Sequence, residues 1–213
     1  MKKLLLLATL LFTFSAASAQ YYYPVDDYGL HAGTNRIEFY GGMVLPQSNW
    51  SHNGQTVDIG NLGWTAGLGF YRNISSVFAL GLDGNYAQLG DGDKVNKGTT
   101  SEYYLRTGAA TGLVAARVNF FPRHSTRLYI PFGVGVGHTF VRRNNGDGSH
   151  KTFSDTDLAG MLGAGLEFDM DESWILGAEA RYYMLRTRDE IKEAFGKKHI
   201  RYGEIMLKIG CRF

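Results

Sequence analysis

Three things are scarce in this chain, and each scarcity excludes something. Cysteine occurs once, as Cys211, so no intramolecular disulfide can form and stability must come from the fold itself. Beyond the first 19 residues no stretch is long and apolar enough to be a membrane-spanning helix. Charge of one sign is missing as well. The acidic count is 20, and the basic count falls from 22 to 20 once Lys2 and Lys3 are set aside with the leader described next, so nothing argues for a nucleic-acid partner.

What is present begins with that leader. Lys2 and Lys3 precede an apolar run from Leu4 to Phe14, and Ala17-Ser18-Ala19 forms a small-residue cleavage site. Residues 1–19 therefore read as a signal peptide, with the mature chain starting at Gln20. The residue directly after the site is Gln20 and not cysteine, which argues against a lipid anchor. Removing 19 residues from 213 leaves 194, the size of one domain.

The mature chain reads as alternating segments of about ten residues, rich in glycine and aromatics. Strands are expected near 35–45, 62–72, 77–88, 105–121, 128–142, 156–169, 174–187 and 201–213. Short turns at 73–76, 122–127 and 170–173 alternate strictly with long polar connections at 46–61, 89–104, 143–155 and 188–200. That rhythm predicts an all-β, eight-stranded antiparallel up-and-down transmembrane β-barrel over 35–213, preceded by a periplasmic tail over 20–34. Tyr21-Tyr22-Tyr23-Pro24 lies in that tail without naming a role.

Side chains alternate across a strand, so each segment sorts its residues onto two faces. The last strand places Ile205, Leu207, Ile209, Cys211 and Phe213 on one face, and Glu204, Lys208 and Arg212 on the other. The apolar faces carry Phe39, Met43, Leu68, Leu82, Val114, Val118, Val134, Leu162, Leu166 and Leu176, with aromatics gathered near both strand ends as two interface girdles. The opposite faces hold small residues with scattered charges: Arg36, Glu38, Asp83, Arg117, Glu167, Asp169, Glu179, Arg181, Glu204, Lys208 and Arg212. Isolated charges in a low-dielectric interior are costly, so these are expected to pair and plug the lumen. Neighbouring strands suggest Glu179 with Lys208, and Glu38 with Arg212 across the closing seam. By the same parity, arginine at Leu166 should impair assembly more than serine at Gly165.

The leader, the strand and loop rhythm, the glycine-rich strand Tyr129-Ile130-Pro131-Phe132-Gly133-Val134-Gly135-Val136-Gly137 and the terminal Phe213 together resemble the OmpA/OmpX-like superfamily of small outer-membrane β-barrels. The resemblance covers nearly the whole mature chain. It implies a porin-like barrel in the outer membrane of a Gram-negative bacterium, in contact with lipid and lipopolysaccharide. It also implies insertion by the outer-membrane assembly machinery, with Phe213 closing the strand that the machinery reads. Pro131 departs from a regular strand and predicts a local bulge, because proline cannot donate to a sheet ladder.

Catalytic and metal chemistry find little purchase. Ser51-His52 and Ser149-His150 sit in long connections, and His138 in strand five, but nucleophilic catalysis needs a base and an orienting group converged on the hydroxyl. No Gly-x-Ser-x-Gly elbow is present. Asn144-Asn145-Gly146-Asp147-Gly148 is strong turn chemistry without the spaced carboxylates of a calcium loop. The stretch Asp189–Gly196 favours one or two helical turns. Arg142 and Arg143, where strand five meets its loop, are placed to meet lipid phosphates. A secreted lipocalin is the soluble alternative, but it would carry abundant charge along every outer face.

The reading is therefore a monomeric, non-enzymatic anchor or interaction protein without cofactor or metal, its extracellular partner unnamed. A narrow channel is the second reading, and a lipid-modifying enzyme the third.

Overall fold

The computed structural model describes residues 30–47, 49–52, 55–58, 61–92, 94, 102–145, 147–187, 191, 193–194 and 199–213. The leader, the tyrosine run, Gly146, residues 188–190 and 195–198, and the side chains of Ser51 and His52 lie outside these.

Among the described residues ten strands form: β1 Asn35–Pro46, β2 Asn49–His52, β3 Gln55–Asp58, β4 Gly63–Asn73, β5 Phe78–Asp91, β6 Tyr103–Phe120, β7 Thr126–Asn145, β8 His150–Asp169, β9 Trp174–Arg186 and β10 His199–Arg212. Eight close into one antiparallel barrel in the order β1-β10-β9-β8-β7-β6-β5-β4, with β1 pairing β4 to complete the ring. The remaining two, β2 and β3, pair as a small hairpin inside the first long polar connection, where no strand is expected from the sequence. Asn35 and Phe213 exchange backbone hydrogen bonds of 3.0 Å in both directions, locking the first residue of β1 to the end of the chain.

Alternation sets the two faces. In β9 the exposure pattern alternates without interruption from exposed Trp174 to exposed Arg186. Phe39, Leu68, Leu82, Val134, Leu162 and Leu207 are outward and largely exposed. Val118 shares the outward parity but is buried; it pairs with Phe78 on one side and Ile130 on the other, whose larger side chains flank it.

Two irregularities matter. The β5–β6 register slips between Gln88↔Gly108 and Asp91↔Arg106, three residues on β5 opposing two on β6. Gly90 carries the slip at φ +79°, a conformation glycine adopts without Cβ strain. The slip turns Asp91 onto the outer face. Pro131, by contrast, forms no bulge. On the β8 side the ladder runs from Tyr129↔Gly165 to Phe132↔Leu162 with its register unchanged, so the proline removes pairs without adding a residue. Its partner on the β6 side, Arg117, stays in step.

β7 and β8 remain paired out to Asn144↔His150, whereas β9 meets β8 only from Ala159 inward. A β6–β7–β8 ribbon thus continues past the level at which β9 leaves the barrel wall.

Candidate functional site: the filled lumen and the loop rim

The turn half of the lumen is a charge network. Glu167 is its hub, fully buried and approached by Arg117 at 2.8 Å, Arg127 at 3.0 Å, Lys208 at 3.3 Å and Arg36 at 3.4 Å. Glu38 takes Arg117 at 2.7 Å, Lys208 at 3.3 Å and Arg36 at 3.4 Å. Arg181 reaches Asp83 at 3.0 Å and also binds Glu179. Asp169 holds Arg127 and, at 2.5 Å, Arg212.

About half of these contacts join strands that are not neighbours in the ring, and three of them cross the lumen. β9 and β5 stand four places apart in the eight-strand ring, so the Arg181–Asp83 pair spans its full width. The expected Glu38–Arg212 pair does not form. In the β1–β10 ladder Arg212 lies opposite Arg36, and it turns to Asp169 and the Asp171 carbonyl instead. Glu179 and Lys208 do approach, at 3.9 Å, though Glu179 is bonded more closely by Arg181 and Tyr129.

Sequence reasoning missed Arg127, which is 0% exposed and bridges Glu167 to Asp169. Its strand was expected to start one residue later. With Arg127 included, six cations face six carboxylates. Three tyrosines, Tyr40, Tyr71 and Tyr129, complete the packing. Arg117 lies 3.9 Å over the Tyr129 ring, Lys208 lies 4.1 Å over the same ring, and Arg181 lies 4.3 Å over Tyr40. Glycines make room for these rings: a Cβ at Gly165 would stand 2.1 Å from Tyr129, and one at Gly67 would stand 2.3 Å from Tyr40.

Above the network sits a thin polar shelf. Asn85 donates to Glu204 at 3.0 Å and to Thr65 at 3.0 Å. Glu204 has no ion-pair partner among the described residues. The loop half of the lumen is then apolar, filled by Val44, Leu89, Leu105, Val141, Met161, Leu185, Ile200 and the stacked rings of Tyr183 and Tyr202. Ile191 packs into this plug from the last long connection; with Glu193 and Ala194 it is helical, in the stretch where turns of helix are expected. At the other mouth Leu30 is buried, its N–H bonded to the Pro122 carbonyl at 2.9 Å, while Gly33 bonds Asn73 across the way.

The serine and histidine candidates do not converge. The Ser149 hydroxyl donates to Asp147 at 2.7 Å and accepts from Asn145, a turn-stabilising arrangement. The hydrogen bond from that hydroxyl holds the Asp147 carboxyl below the ordinary aspartate range. His138 pairs with Thr156 at 2.8 Å on the outer face, and Asp155 and Asp157 take the opposite face of β8. No cluster able to hold a metal occurs among the described residues.

The rim arginines separate. Arg142 is exposed on the outer face, but Arg143 turns inward and lies 4.1 Å over the Tyr103 ring. The expectation that both meet lipid fails for Arg143 because adjacent residues of a strand point to opposite sides.

An apolar belt around a closed antiparallel barrel, charges inside and aromatics near its edges is the arrangement of a membrane-spanning barrel. The family model described as "Outer membrane protein beta-barrel domain" matches residues 4–213. The chain belongs to this family. Membership places the barrel in the outer membrane of a Gram-negative bacterium. Among solved structures, Neisserial surface protein A is 15% identical with a TM-score of 0.53, covering 85% of this chain and 99% of its own; it shares the fold. The attachment invasion locus protein Ail of Yersinia pestis is 18% identical over 85% of this chain and 99% of its own, with a TM-score of 0.49. OprG of Pseudomonas aeruginosa is 15% identical over 88% of this chain and 99% of its own, with a TM-score of 0.48. No curated protein matches the sequence.

Proposed function

We propose that this outer-membrane barrel is a non-enzymatic, monomeric anchor whose extracellular ribbon and loops meet a partner. One observation carries the reading: buried side chains fill the lumen from mouth to mouth, as a charge network below and an apolar plug above. A barrel of eight strands has an interior only wide enough for side chains to fill, and here they do. The β6–β7–β8 ribbon extends beyond what the barrel wall needs, on the same rim as the long loops, which this reading turns to the cell exterior.

Planar-bilayer conductance of the refolded protein tests this. The expected result is silence from barrel shown to be folded. Discrete steps that change in Glu179→Gln or Lys208→Met would replace the anchor with a channel lined by those residues.

The remaining roles belong to the same reading. Residues 1–19 direct export, and Phe213 ends the strand recognised by the assembly machinery. Phe213 is outward and exposed, so its ring is available to that machinery while its backbone holds the seam.

A further inference from the structure

On the outer face of the extracellular rim, two exposed arginines stand directly opposite each other on adjacent strands, Arg106 of β6 and Arg142 of β7. Like charges directly opposite in a sheet repel, so this pairing costs stability unless something anionic lies between them. Asp91 answers half of the charge: the Gly90 bulge brings it outward to meet Arg106 at 2.7 Å. Arg142 has no ion-pair partner among the described residues.

What lies beneath the pair fixes its depth. Trp64, Tyr86 and Phe140 form an outward ladder, with ring centroids 5.4 Å and 6.1 Å apart. The Phe140 ring covers Gly108, where a Cβ would stand 2.2 Å from it, so the ladder crosses β6 without a gap. Such a belt marks the boundary between hydrocarbon and headgroups. Arg106 and Arg142 are the next outward pair above Gly108↔Phe140, two residues or about 7 Å further along the strands. They therefore sit at headgroup depth, facing the membrane rather than the medium.

We infer that Arg106 and Arg142 form a clamp for the phosphate groups of a glycolipid in the outer leaflet. Two guanidiniums present paired N–H donors in a geometry suited to bridging one phosphate, and the anion relieves the repulsion between them. The aromatic ladder seats the apolar part of the same molecule. Arg143, one residue away, provides an internal control because it carries the same charge into the lumen mouth. The inference stands whether or not the lumen conducts.

The test uses full-length barrel in phosphatidylcholine nanodiscs doped equally with bisphosphorylated lipid A and its dephosphorylated form. Lipid retained by the purified barrel after mild detergent extraction is quantified by mass spectrometry. Wild type should retain the phosphorylated form with a preference of about tenfold, as expected for hydrogen bonds between charged groups. The preference should vanish in Arg106→Gln/Arg142→Gln and survive in Arg143→Gln. Both clamp side chains are exposed, so folding should persist; if the double variant does not fold, Arg142→Gln alone carries the same prediction. An unchanged preference in the clamp variants overturns the inference. Equal loss in Arg143→Gln overturns it too, since net charge would then suffice. Abolition by millimolar inorganic phosphate would make this a site for free anions and overturn the glycolipid assignment.

Discussion

Glu167→Gln is the sharpest perturbation of the lumen. The substitution keeps shape and removes one negative charge from a site that is 0% exposed and has four cations within 3.4 Å. Six carboxylates would then face six cations as five against six, and the new amide would turn an N–H₂ toward guanidinium donors. Breaking a buried ion-pair network from one side costs about 3–5 kcal/mol, because the partner charges stay buried without their counter-ion. Against a total stability of roughly 5–15 kcal/mol, this is a large fraction. Urea unfolding of the refolded barrel in lipid vesicles, followed by heat-modifiable gel mobility, reads it as a fall in midpoint. Lys208→Met then supplies the decisive comparison. It removes a cation 3.3 Å from Glu167 and restores the balance, so the double variant should lose less than the sum of the two singles. Coupling of about 1–3 kcal/mol is expected for residues sharing a network. Loss under 1 kcal/mol in Glu167→Gln, or strict additivity in the double variant, would refute the network as a cooperative unit.

Leu166→Arg should cost about 2–4 kcal/mol by placing a charge against the hydrocarbon, seen as a reduced folded fraction on refolding into vesicles. Gly90→Ala should cost about 1–3 kcal/mol, since φ is +79° and the new Cβ would meet the Asn61 and Leu62 carbonyls at 3.0 Å; urea midpoints measure it. At the β7–β8 tip, the folded Asp147 carboxyl holds its proton less tightly than in an unfolded chain, because the Ser149 hydroxyl and N–H donate to it. The stability it adds to the turn is complete above its ordinary pKa of 3.8 and is lost as pH falls through the lower folded value. Protection of the Ser149 amide from exchange, taken relative to its intrinsic rate at each pH and followed by NMR, should fall only at the acid end, and Asp147→Asn should remove the dependence.

The barrel was legible because its physics is local. Strand length, turn chemistry and the alternation of Ile205, Leu207 and Ile209 with Glu204 and Lys208 are properties of neighbours in the chain, and the eight strands lie within three residues of the expected ones, except that β8 starts six residues early, at His150. The Gly90 bulge and the β2–β3 hairpin were less legible, since both depend on how a partner strand meets the segment. Gly165 shows the same limit from inside. Its lumen face follows from parity and makes serine there look mild, yet nothing local reveals that Tyr129 occupies the space a Cβ would need.

The lumen pairs were the least legible feature, and the reason is geometric. Adjacent strands lie about 4.8 Å apart, a distance that short side chains span, so a sequence reading naturally pairs neighbours such as Glu38 and Arg212. Inside a narrow closed ring, however, every inward side chain points toward the same axis, and a long arginine meets carboxylates from the far wall as well as its neighbours'. Arg181 on β9 thus finds Asp83 on β5, and Arg117 on β6 finds Glu38 on β1. Only residues of opposite sign at similar heights can do this, which is why the charges concentrate in the turn half and leave the loop half to Leu89, Leu105, Leu185 and Ile200. The same confinement that defeats pairing by sequence ties opposite walls together. Removal of one carboxylate should therefore be felt across the whole ring rather than along a single strand.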